Sequence, residues 1–217
     1  MIPGDGLKAI IFDWDLTLWN SWDTHLELLR QTADALQASQ PEATDVAERY
    51  SMPFLQHLEW FFPGDQQRVV DTYMGFYQII VTEMPNLYPG VAETLGCLKE
   101  SGYRLAVFSD KRQAFGDAEL AQTGIGGLID HSLFLVDGRP YKPDPLGLLQ
   151  VLDALEVAPD QALYVGDTGD DMECAHRAGV SSGAALWGAL NREKVLAAGP
   201  RFLWESPAQL VESLGQR

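Results

Sequence analysis

Two aspartates, Asp13 and Asp15, come just after a short apolar run at residues 9–12. Their carboxylates could bind a metal ion or take part in catalysis. The run predicts a buried strand, so Asp13 would lie at its carboxyl end, where open α/β sheets bind their ligands. Two carboxylates so close together repel each other, which predicts either a divalent metal ion or an acid and base couple. The alternative is a solvated turn in which Thr17 begins the next helix.

A second apolar run, at residues 163–165, also ends in acidic residues, with Gly166 placed just before Asp167. Asp167 would then occupy the same position on its strand that Asp13 occupies on its own. If the two strands are neighbours, the carboxylates meet at one edge of the sheet. Such an all-oxygen environment suits Mg²⁺.

Two further segments carry groups that can bind phosphate oxygens. Ser109 follows another apolar run, and Lys142 lies in a proline-rich segment. Prolines on both sides of Asp144 restrict the backbone, so that Lys142 would be aimed rather than free. Taken alone, Lys142 would fit an exposed loop equally well.

The order and spacing of these residues resemble the haloacid dehalogenase superfamily, and within it the branch of phosphoglycolate phosphatases and β-phosphoglucomutases. The resemblance implies an α/β fold, with a Rossmann-like doubly wound parallel sheet and an inserted α-helical cap. It extends over almost the full length of the chain and rests on six segments: Asp13 to Thr17, Tyr88 to Val91, Ser109, Lys142 with Pro143, Gly166 to Asp171, and Ala175 to Gly179.

The resemblance implies catalytic and metal-binding roles. Asp13 is expected to be the nucleophile that forms an aspartyl-phosphate, and Asp15 the acid and base that serves the leaving alcohol and then the water. Mg²⁺ is expected on the Asp13 side chain, the Asp15 backbone carbonyl and Asp167, where it would screen the charge of the phosphate.

The resemblance also implies roles in phosphate binding and support. Ser109, Asp110 and Lys142 are expected to bind the phosphate. Thr17 and Asp171 are expected to support the site, Asp171 by holding either the water shell of the metal or Lys142.

The sequence departs from the pattern of this branch at three positions. Leu16 stands where glycine is usual, and Trp14 is bulkier than the commonest residue there, which we expect to affect loop shape and packing. Asp110 replaces a frequent asparagine, and its charge would repel phosphate. Either Lys111 offsets that charge, or the Asp110 side chain points away.

The composition restricts the partners. Fifteen basic residues against 31 acidic ones give a formal net charge of −16, which disfavours nucleic acid and leaves a small phosphorylated metabolite as the expected substrate. The two cysteines, Cys97 and Cys174, are expected to be apolar filler in a reducing compartment. Without a leader or a long apolar segment, we expect a cytoplasmic monomer or homodimer that does not bind membranes.

The pattern of elements indicates two domains. Residues 1–19 and 87–217 would form the α/β core, and residues 20–86 the helical cap, because Asp23 to Leu36 and Gln66 to Met84 show helical spacing. The core alternates helices near 91–101, 112–123, 146–155 and 170–178 with extended segments at 104–108, 129–136 and 162–165.

The cap segment is rich in aromatic residues, which we assign mainly to its core; these are Trp19, Trp22, Trp60, Phe61, Phe62, Tyr73, Phe76 and Tyr77. By resemblance, the stretch from Ser51 to Phe54 faces the active site, with Arg49 and His57 as candidate contacts to the leaving portion of the substrate. His25 and His57 also fit a plainer role at the surface or between helices, which we favour.

Four functions compete as explanations of the motifs. A phosphatase requires Asp15, whereas haloacid dehalogenases lack this second aspartate. A phosphomutase would keep every motif and differ only in protecting the aspartyl-phosphate from water. A non-catalytic phospho-ligand binding protein would have no use for Asp13 and Asp15 together.

Overall fold

The computed structural model describes residues 6–50, 52–83 and 87–215. The chain divides into two compact units, one formed by Met1–Asn20 with Asn86–Arg217 and the other by Ser21–Pro85. The first unit carries the whole of the described sheet, and the second is helical. The role of the helical unit as a cap stays a prediction.

The first unit is built on a six-stranded parallel sheet with the order β3-β2-β1-β4-β5-β6. The strands are β1 Ala9–Phe12, β2 Arg104–Arg112, β3 His131–Leu135, β4 Ala162–Gly166, β5 Ser181–Ala185 and β6 Phe202–Trp204. The chain builds the sheet outward from β1 in one direction and then returns to β4 on the other side of β1. The switch point between β1 and β4 is where doubly wound sheets bind ligands, and the predicted fold class is confirmed.

The helices follow in chain order. The helical unit contains α1 Ser21–Leu36, α2 Ala43–Arg49, α3 Phe54–Phe61 and α4 Gln66–Glu83. The α/β unit contains α5 Val91–Glu100, α6 Gln113–Gln122, α7 Leu146–Ala154, α8 Gly169–Ala178, α9 Arg192–Ala197 and α10 Pro207–Gly215. No described helix has both the length and the apolar character needed to cross a membrane.

The central strands are buried on both faces. Every residue of β1 is buried, and alternate residues belong to different sides of the sheet. Ala9 and Ile11 pack with apolar residues of α7 and α8 in one core cluster, whereas Ile10 and Phe12 point the opposite way. Strands covered on both faces are expected to read as continuous apolar runs, as these do.

Several boundaries and one assignment differ from the prediction. β2 continues to Arg112 through an irregularity after Phe108, because its last residues still pair with β3. Trp19, which the sequence analysis placed among the cap aromatics, is buried in the α/β unit and stacks on Trp14 at 5.9 Å.

The chain leaves and re-enters the α/β unit at one point. Trp19 and Leu87 form an isolated antiparallel bridge, and the backbone N–H of Tyr88 donates to the carbonyl of Leu18 at 3.0 Å. The two ends of the insertion are therefore joined by backbone pairing within the α/β unit.

The turn after β1 is closed by backbone hydrogen bonds and by a close approach from a distant loop. The N–H of Leu16 donates to the Trp19 carbonyl at 2.7 Å, and Leu16 has a φ of 59°. The carbonyl oxygen of Leu16 would lie 1.6 Å from a Cβ added at Gly188. Only glycine lets the two backbones approach this closely.

We predict that Gly188→Ala destabilises the protein by about 1–3 kcal/mol or more, because the new methyl group must displace backbone rather than a flexible side chain. Gly96→Ala in α5 is the matched control. An added Cβ at Gly96 meets nothing within 4 Å, so this substitution should stabilise its helix by about 0.5–1 kcal/mol. Urea unfolding of both variants measures the difference, and a Gly188→Ala protein as stable as wild type would contradict the close approach.

Candidate functional site

Asp13 and Asp167 lie at the carboxyl ends of neighbouring strands. Asp13 follows β1, and its backbone N–H donates to the Val165 carbonyl of β4 at 2.9 Å, while Asp167 follows the end of β4. One carboxylate oxygen each of Asp13, Asp167 and Asp171 lie within 4.8 Å of one another. All three side chains are buried. The structure thus brings Asp13 and Asp167 together at the switch point, with Asp171 as a third member.

Thr17 connects the turn after β1 to Asp167. Its hydroxyl donates to Asp167 Oδ1 at 2.9 Å, and its carbonyl accepts a hydrogen bond from the indole of Trp187 at 2.9 Å. The positive φ of Leu16 in this turn is a conformation that glycine adopts freely. The positive φ at this position would favour the glycine that is usual in the branch that the sequence resembles.

Lys142 places its ammonium among the acidic side chains. Its Nζ lies 2.9 Å from Asp13 Oδ1 and donates to Asp171 Oδ1 at 2.7 Å and to the Tyr164 hydroxyl at 3.1 Å. Burial alone would lower the pKa of Lys142, but the Asp13 and Asp171 carboxylates raise it well above its usual value. Lys142 therefore remains a cation.

Asp171 is fully engaged by its neighbours. Oδ1 contacts Lys142 and the Tyr164 hydroxyl, while Oδ2 accepts from the backbone N–H of Thr168 at 3.0 Å and from its hydroxyl at 2.5 Å. Burial opposes ionisation, yet Lys142 and these hydrogen bonds lower the pKa of Asp171. A Cβ at Gly166 would lie 2.4 Å from Asp171 Cγ, so the carboxylate packs directly against the strand end.

Asp13 and Asp167 are the two carboxyl groups of the cluster whose ionised forms are not fully stabilised by their neighbours. Burial raises the pKa of Asp13 to about 7 despite the opposing effect of Lys142. Burial, with the charges of Asp171 and Asp13, raises the pKa of Asp167 well above its usual value. Three buried carboxylates thus face a single ammonium.

This charge imbalance and the all-oxygen donors fit a divalent cation. Asp13 Oδ1 is buried without a hydrogen bond of good geometry, although Lys142 Nζ is close. Asp167 has one hydrogen bond, from Thr17, to Oδ1. Asp171 is already saturated, so Asp13 and Asp167 are the better candidates for metal ligands.

Ser109 lies beside Asp13; burial raises the pKa of the Asp13 carboxyl, while the neighbouring Ser109 hydroxyl acts in the opposite direction and favours the ionised form. Ser109 is buried and follows Phe108 near the middle of β2. The neighbouring strand β1 carries Asp13, so the sheet brings the hydroxyl to the same point.

Asp110 is held by two groups from the segment before Pro143. Its Oδ2 accepts from the backbone N–H of Lys142 at 2.8 Å, and its Oδ1 lies 3.3 Å from Nη2 of Arg139. The same Nη2 donates to the Ser109 carbonyl at 2.6 Å. Asp110 therefore joins the end of β2 to the Lys142 segment, and its expected role in phosphate binding stays a prediction.

Asp15 lies outside the carboxylate cluster and is paired with Lys111. Lys111 Nζ donates to Asp15 Oδ1 at 2.8 Å and also lies 2.8 Å from Oε1 of Glu119. The indole of Trp14 donates to Oε2 of Glu119 at 2.7 Å. Lys111 thus neutralises Asp15 rather than Asp110.

The helical unit engages its histidines internally. Nδ1 of His57 donates to the Arg49 carbonyl at 2.9 Å, and its Nε2 lies 3.0 Å from Nε2 of His25. Burial lowers the pKa of His57. The Arg49 guanidinium lies 4.3 Å over the ring of Trp60. These contacts support the interhelical role favoured for His25 and His57, while Ser51 lies outside the described residues.

Sequence reasoning missed three residues that hold the site. Arg139 and Tyr164 contact the phosphate-binding candidates, and Glu119 contacts Lys111. Tyr164 was assigned to an apolar strand, although a tyrosine hydroxyl in a buried run needs a polar partner. Glu119 follows Asp117 in α6, and the sequence gives no signal that distinguishes the buried Glu119 from the exposed Asp117.

Residues 10–185 match the profile of the family described as haloacid dehalogenase-like hydrolase. The chain is 25% identical over 209 residues to a pyrophosphatase PpaX of Anoxybacillus flavithermus, covering 96% of this chain and 97% of that protein. It is 29% identical over 210 residues to a phosphoglycolate phosphatase of Aquifex aeolicus, covering 95% and 96%.

Solved structures share the fold. A predicted phosphoglycolate phosphatase from Haemophilus somnus superposes with a TM-score of 0.83 at 24% identity, covering 95% of this chain and 97% of that chain. A Thermotoga maritima protein provisionally assigned as a β-phosphoglucomutase has a TM-score of 0.82 at 23% identity, covering 97% and 99%.

We predict that Asp110→Asn destabilises the protein by about 1–3 kcal/mol, because the nearly isosteric amide leaves the buried Arg139 guanidinium without its counter-charge. The control is Glu205→Gln, which removes the partner of the exposed Arg192 and should change stability by less than about 0.5 kcal/mol. Chemical denaturation of both variants gives the comparison. Equal stability losses would show that the Asp110 and Arg139 pair contributes no more than a surface ion pair.

Proposed function

Because the chain belongs to the haloacid dehalogenase-like hydrolase family, whose profile matches residues 10–185, we propose that it is a Mg²⁺-dependent phosphatase acting on a small phosphorylated metabolite. The observation that carries this proposal is the buried cluster at the switch point. There, Asp13 Oδ1 lies 2.9 Å from the Lys142 ammonium, and one carboxylate oxygen each of Asp13, Asp167 and Asp171 lie within 4.8 Å of one another.

Asp13 would act as the nucleophile. Its carboxylate attacks phosphorus, a bond forms between carboxylate oxygen and phosphorus, and the bond to the leaving oxygen breaks. Asp15 gives its proton to the leaving alkoxide, then takes a proton from the water that attacks the aspartyl-phosphate. The water oxygen bonds to phosphorus as the bond between phosphorus and the Asp13 oxygen breaks, so free phosphate leaves and both aspartates return to their starting states.

Lys142 and Ser109 would hold the transferring oxygens. Both groups lie beside Asp13, one as a cation and one as a neutral donor, so they can reduce the repulsion between a phosphate and the carboxylate that attacks it. Mg²⁺, held by Asp13, Asp167 and the Asp15 carbonyl, would supply further charge neutralisation of the phosphate. Asp171 keeps Lys142 in place, and Thr17 keeps Asp167 in place.

The substrate class is supported by the relatives and by the helical unit. The names of the relatives refer to pyrophosphate and phosphoglycolate, which are both small anions. The helical unit is inserted directly after the turn that carries Asp15 and Thr17, and we propose that it acts as a cap that selects the substrate. With a net charge of −16, we expect no nucleic acid partner.

A phosphomutase is the second candidate, favoured by the likeness of fold to the Thermotoga maritima protein. It would use the same residues and differ in returning the phosphoryl group of Asp13 to an alcohol rather than to water. Hydrolysis is the default fate of an acyl phosphate that water can reach, which is why we rank the phosphatase first.

We predict that Asp13→Asn lowers the Mg²⁺-dependent hydrolysis of 4-nitrophenyl phosphate by at least about a hundredfold, or roughly 2.7 kcal/mol of barrier. The amide is nearly isosteric but a far weaker nucleophile. Asp153→Asn, at an exposed position of α7, is the control and should keep full activity. Residual activity within about tenfold of wild type would reject Asp13 as the nucleophile.

The same assay distinguishes the two candidates when sugar phosphates replace the aryl phosphate. Released phosphate and isomerised sugar phosphate are measured in the same reaction, with and without a sugar bisphosphate as activator. Phosphate release should dominate in both conditions. Isomerisation that outpaces release would replace the phosphatase by the phosphomutase.

We predict that Mg²⁺ raises the melting temperature of the wild-type protein, and more at about pH 8 than at about pH 5.5. The pKa of Asp13 is raised to about 7, so protons compete with the metal below that pH and leave the carboxylate free above it. Asp167→Ala should remove most of this shift, because one metal ligand is lost. Asp153→Ala serves as the control, and an undiminished shift in Asp167→Ala would contradict the assigned ligand.

A further inference from the structure

A second group of charged side chains, half-buried at Asp15 and Lys111 and buried at Glu119, is separate from the carboxylate cluster. Lys111 Nζ lies 2.8 Å from Asp15 Oδ1 and 2.8 Å from Glu119 Oε1, so one ammonium bridges two carboxylates. Glu119 is only 1% exposed, and its second oxygen accepts a hydrogen bond from the Trp14 indole at 2.7 Å. Charged side chains are buried this deeply only when they are paired.

We propose that Glu119 and Lys111 are positioning residues that hold Asp15 in the orientation needed for proton transfer. This inference rests on the proposed function, in which Asp15 exchanges a proton with the leaving oxygen and with water. Neither residue is required to touch the substrate. Glu119 fixes Lys111, and Lys111 fixes the carboxylate.

The contacts specify which oxygen of Asp15 is available. Lys111 engages Oδ1, so the proton that Asp15 donates is carried on Oδ2. An aspartate side chain without such a contact can rotate about its terminal bond and present either oxygen. The Asp15 side chain retains 24% of its exposure, so packing alone does not fix it. Proton transfer depends on a correctly placed donor, and the ammonium supplies that constraint.

Glu119 is itself fixed by Trp14, which lies between the two aspartates in the sequence. The Trp14 ring stacks on Trp19 at 5.9 Å and meets Phe134 edge-on at 6.0 Å. Its indole N–H therefore has a fixed direction toward Glu119. The tryptophan at position 14 supplies a hydrogen-bond donor to Glu119, because a smaller side chain without the indole N–H would not donate to Oε2 of Glu119.

A different role for Lys111 would have a different kinetic signature. An ammonium that bound an anionic group of the substrate would change KM for substrates that carry such a group. An ammonium that orients the general acid affects the chemical step, and affects it most when the leaving group needs a proton. Leaving-group acidity therefore separates the two roles.

The experiment compares wild type, Lys111→Met, Glu119→Gln and the double variant on two substrates. In 4-nitrophenyl phosphate the leaving phenolate departs without a proton, whereas in an alkyl phosphate whose alkyl group carries no charge the leaving alkoxide requires one. The control is Lys99→Met, which removes the exposed ion pair with Asp130 and should leave both rates unchanged. Thermal unfolding is measured for every variant.

In each single variant, kcat on the alkyl phosphate should fall about tenfold or more beyond its fall on the aryl phosphate. In the double variant, the loss should match that of Lys111→Met alone, because Glu119 acts only through Lys111. The double variant removes the charges of Glu119 and Lys111 together, so it should unfold closer to the wild-type temperature than Lys111→Met, which takes the ammonium away from the buried Glu119 carboxylate.

Equal losses on the two substrates, or losses confined to KM, would overturn the positioning role while leaving the phosphatase in place. Additive losses in the double variant would also overturn it, because Glu119 would then act independently of Lys111. If wild type released phosphate from neither substrate with Mg²⁺, the proposed function itself would fail, and the positioning role with it.

Discussion

The structure of the site depends on one buried ammonium surrounded by carboxylates. Lys142 lies between Asp13 and Asp171, with the Tyr164 hydroxyl beside it. Removing charges from water is expensive, and a buried pair is tolerated only when its geometry and hydrogen bonds are good. Here Asp171 and its partners supply that geometry, which leaves Asp13 and Asp167 with charge that Lys142 does not balance.

The repulsion between these carboxylates must be opposed by other contacts in the loops that carry them. Carboxylates that repel each other push their loops apart unless other contacts oppose them. Thr17 ties Asp167 to the turn after β1, and Asp110 ties the end of β2 to the Lys142 segment through Arg139. The charges needed for chemistry and the contacts needed for stability are therefore supplied by different residues of the same loops.

The sequence predicted what depends on local pattern and order. Apolar runs before Asp13, Ser109 and Asp167 placed these residues at or near the ends of strands, and the parallel sheet then brought them together. The resemblance supplied expected roles that spacing alone does not give, and the family and fold were confirmed. The roles of the individual site residues stay predictions that the geometry supports.

What the sequence did not predict depends on contacts between distant residues. Glu119 pairs with Trp14 across 105 positions, and Arg139 reaches Ser109 across 30. Hydrophobic periodicity records which face of an element is buried but not which partner satisfies a polar group there. Asp110 illustrates this. From the sequence, its negative charge was expected to repel phosphate, whereas in the structure that charge is paired with Arg139.

The backbone bridge between Trp19 and Leu87 has a consequence for how this chain can change in evolution. The two ends of the helical insertion meet at this isolated bridge, which belongs to the α/β unit and lies outside the six strands of the sheet. The entropic cost of closing a loop rises only slowly with its length. Because the ends of the insertion are already held together by the bridge, a folded insert of another length adds little to that cost. Recombination could therefore exchange the whole insert for another module, of different size or shape, and leave the acidic loops of the α/β unit in place.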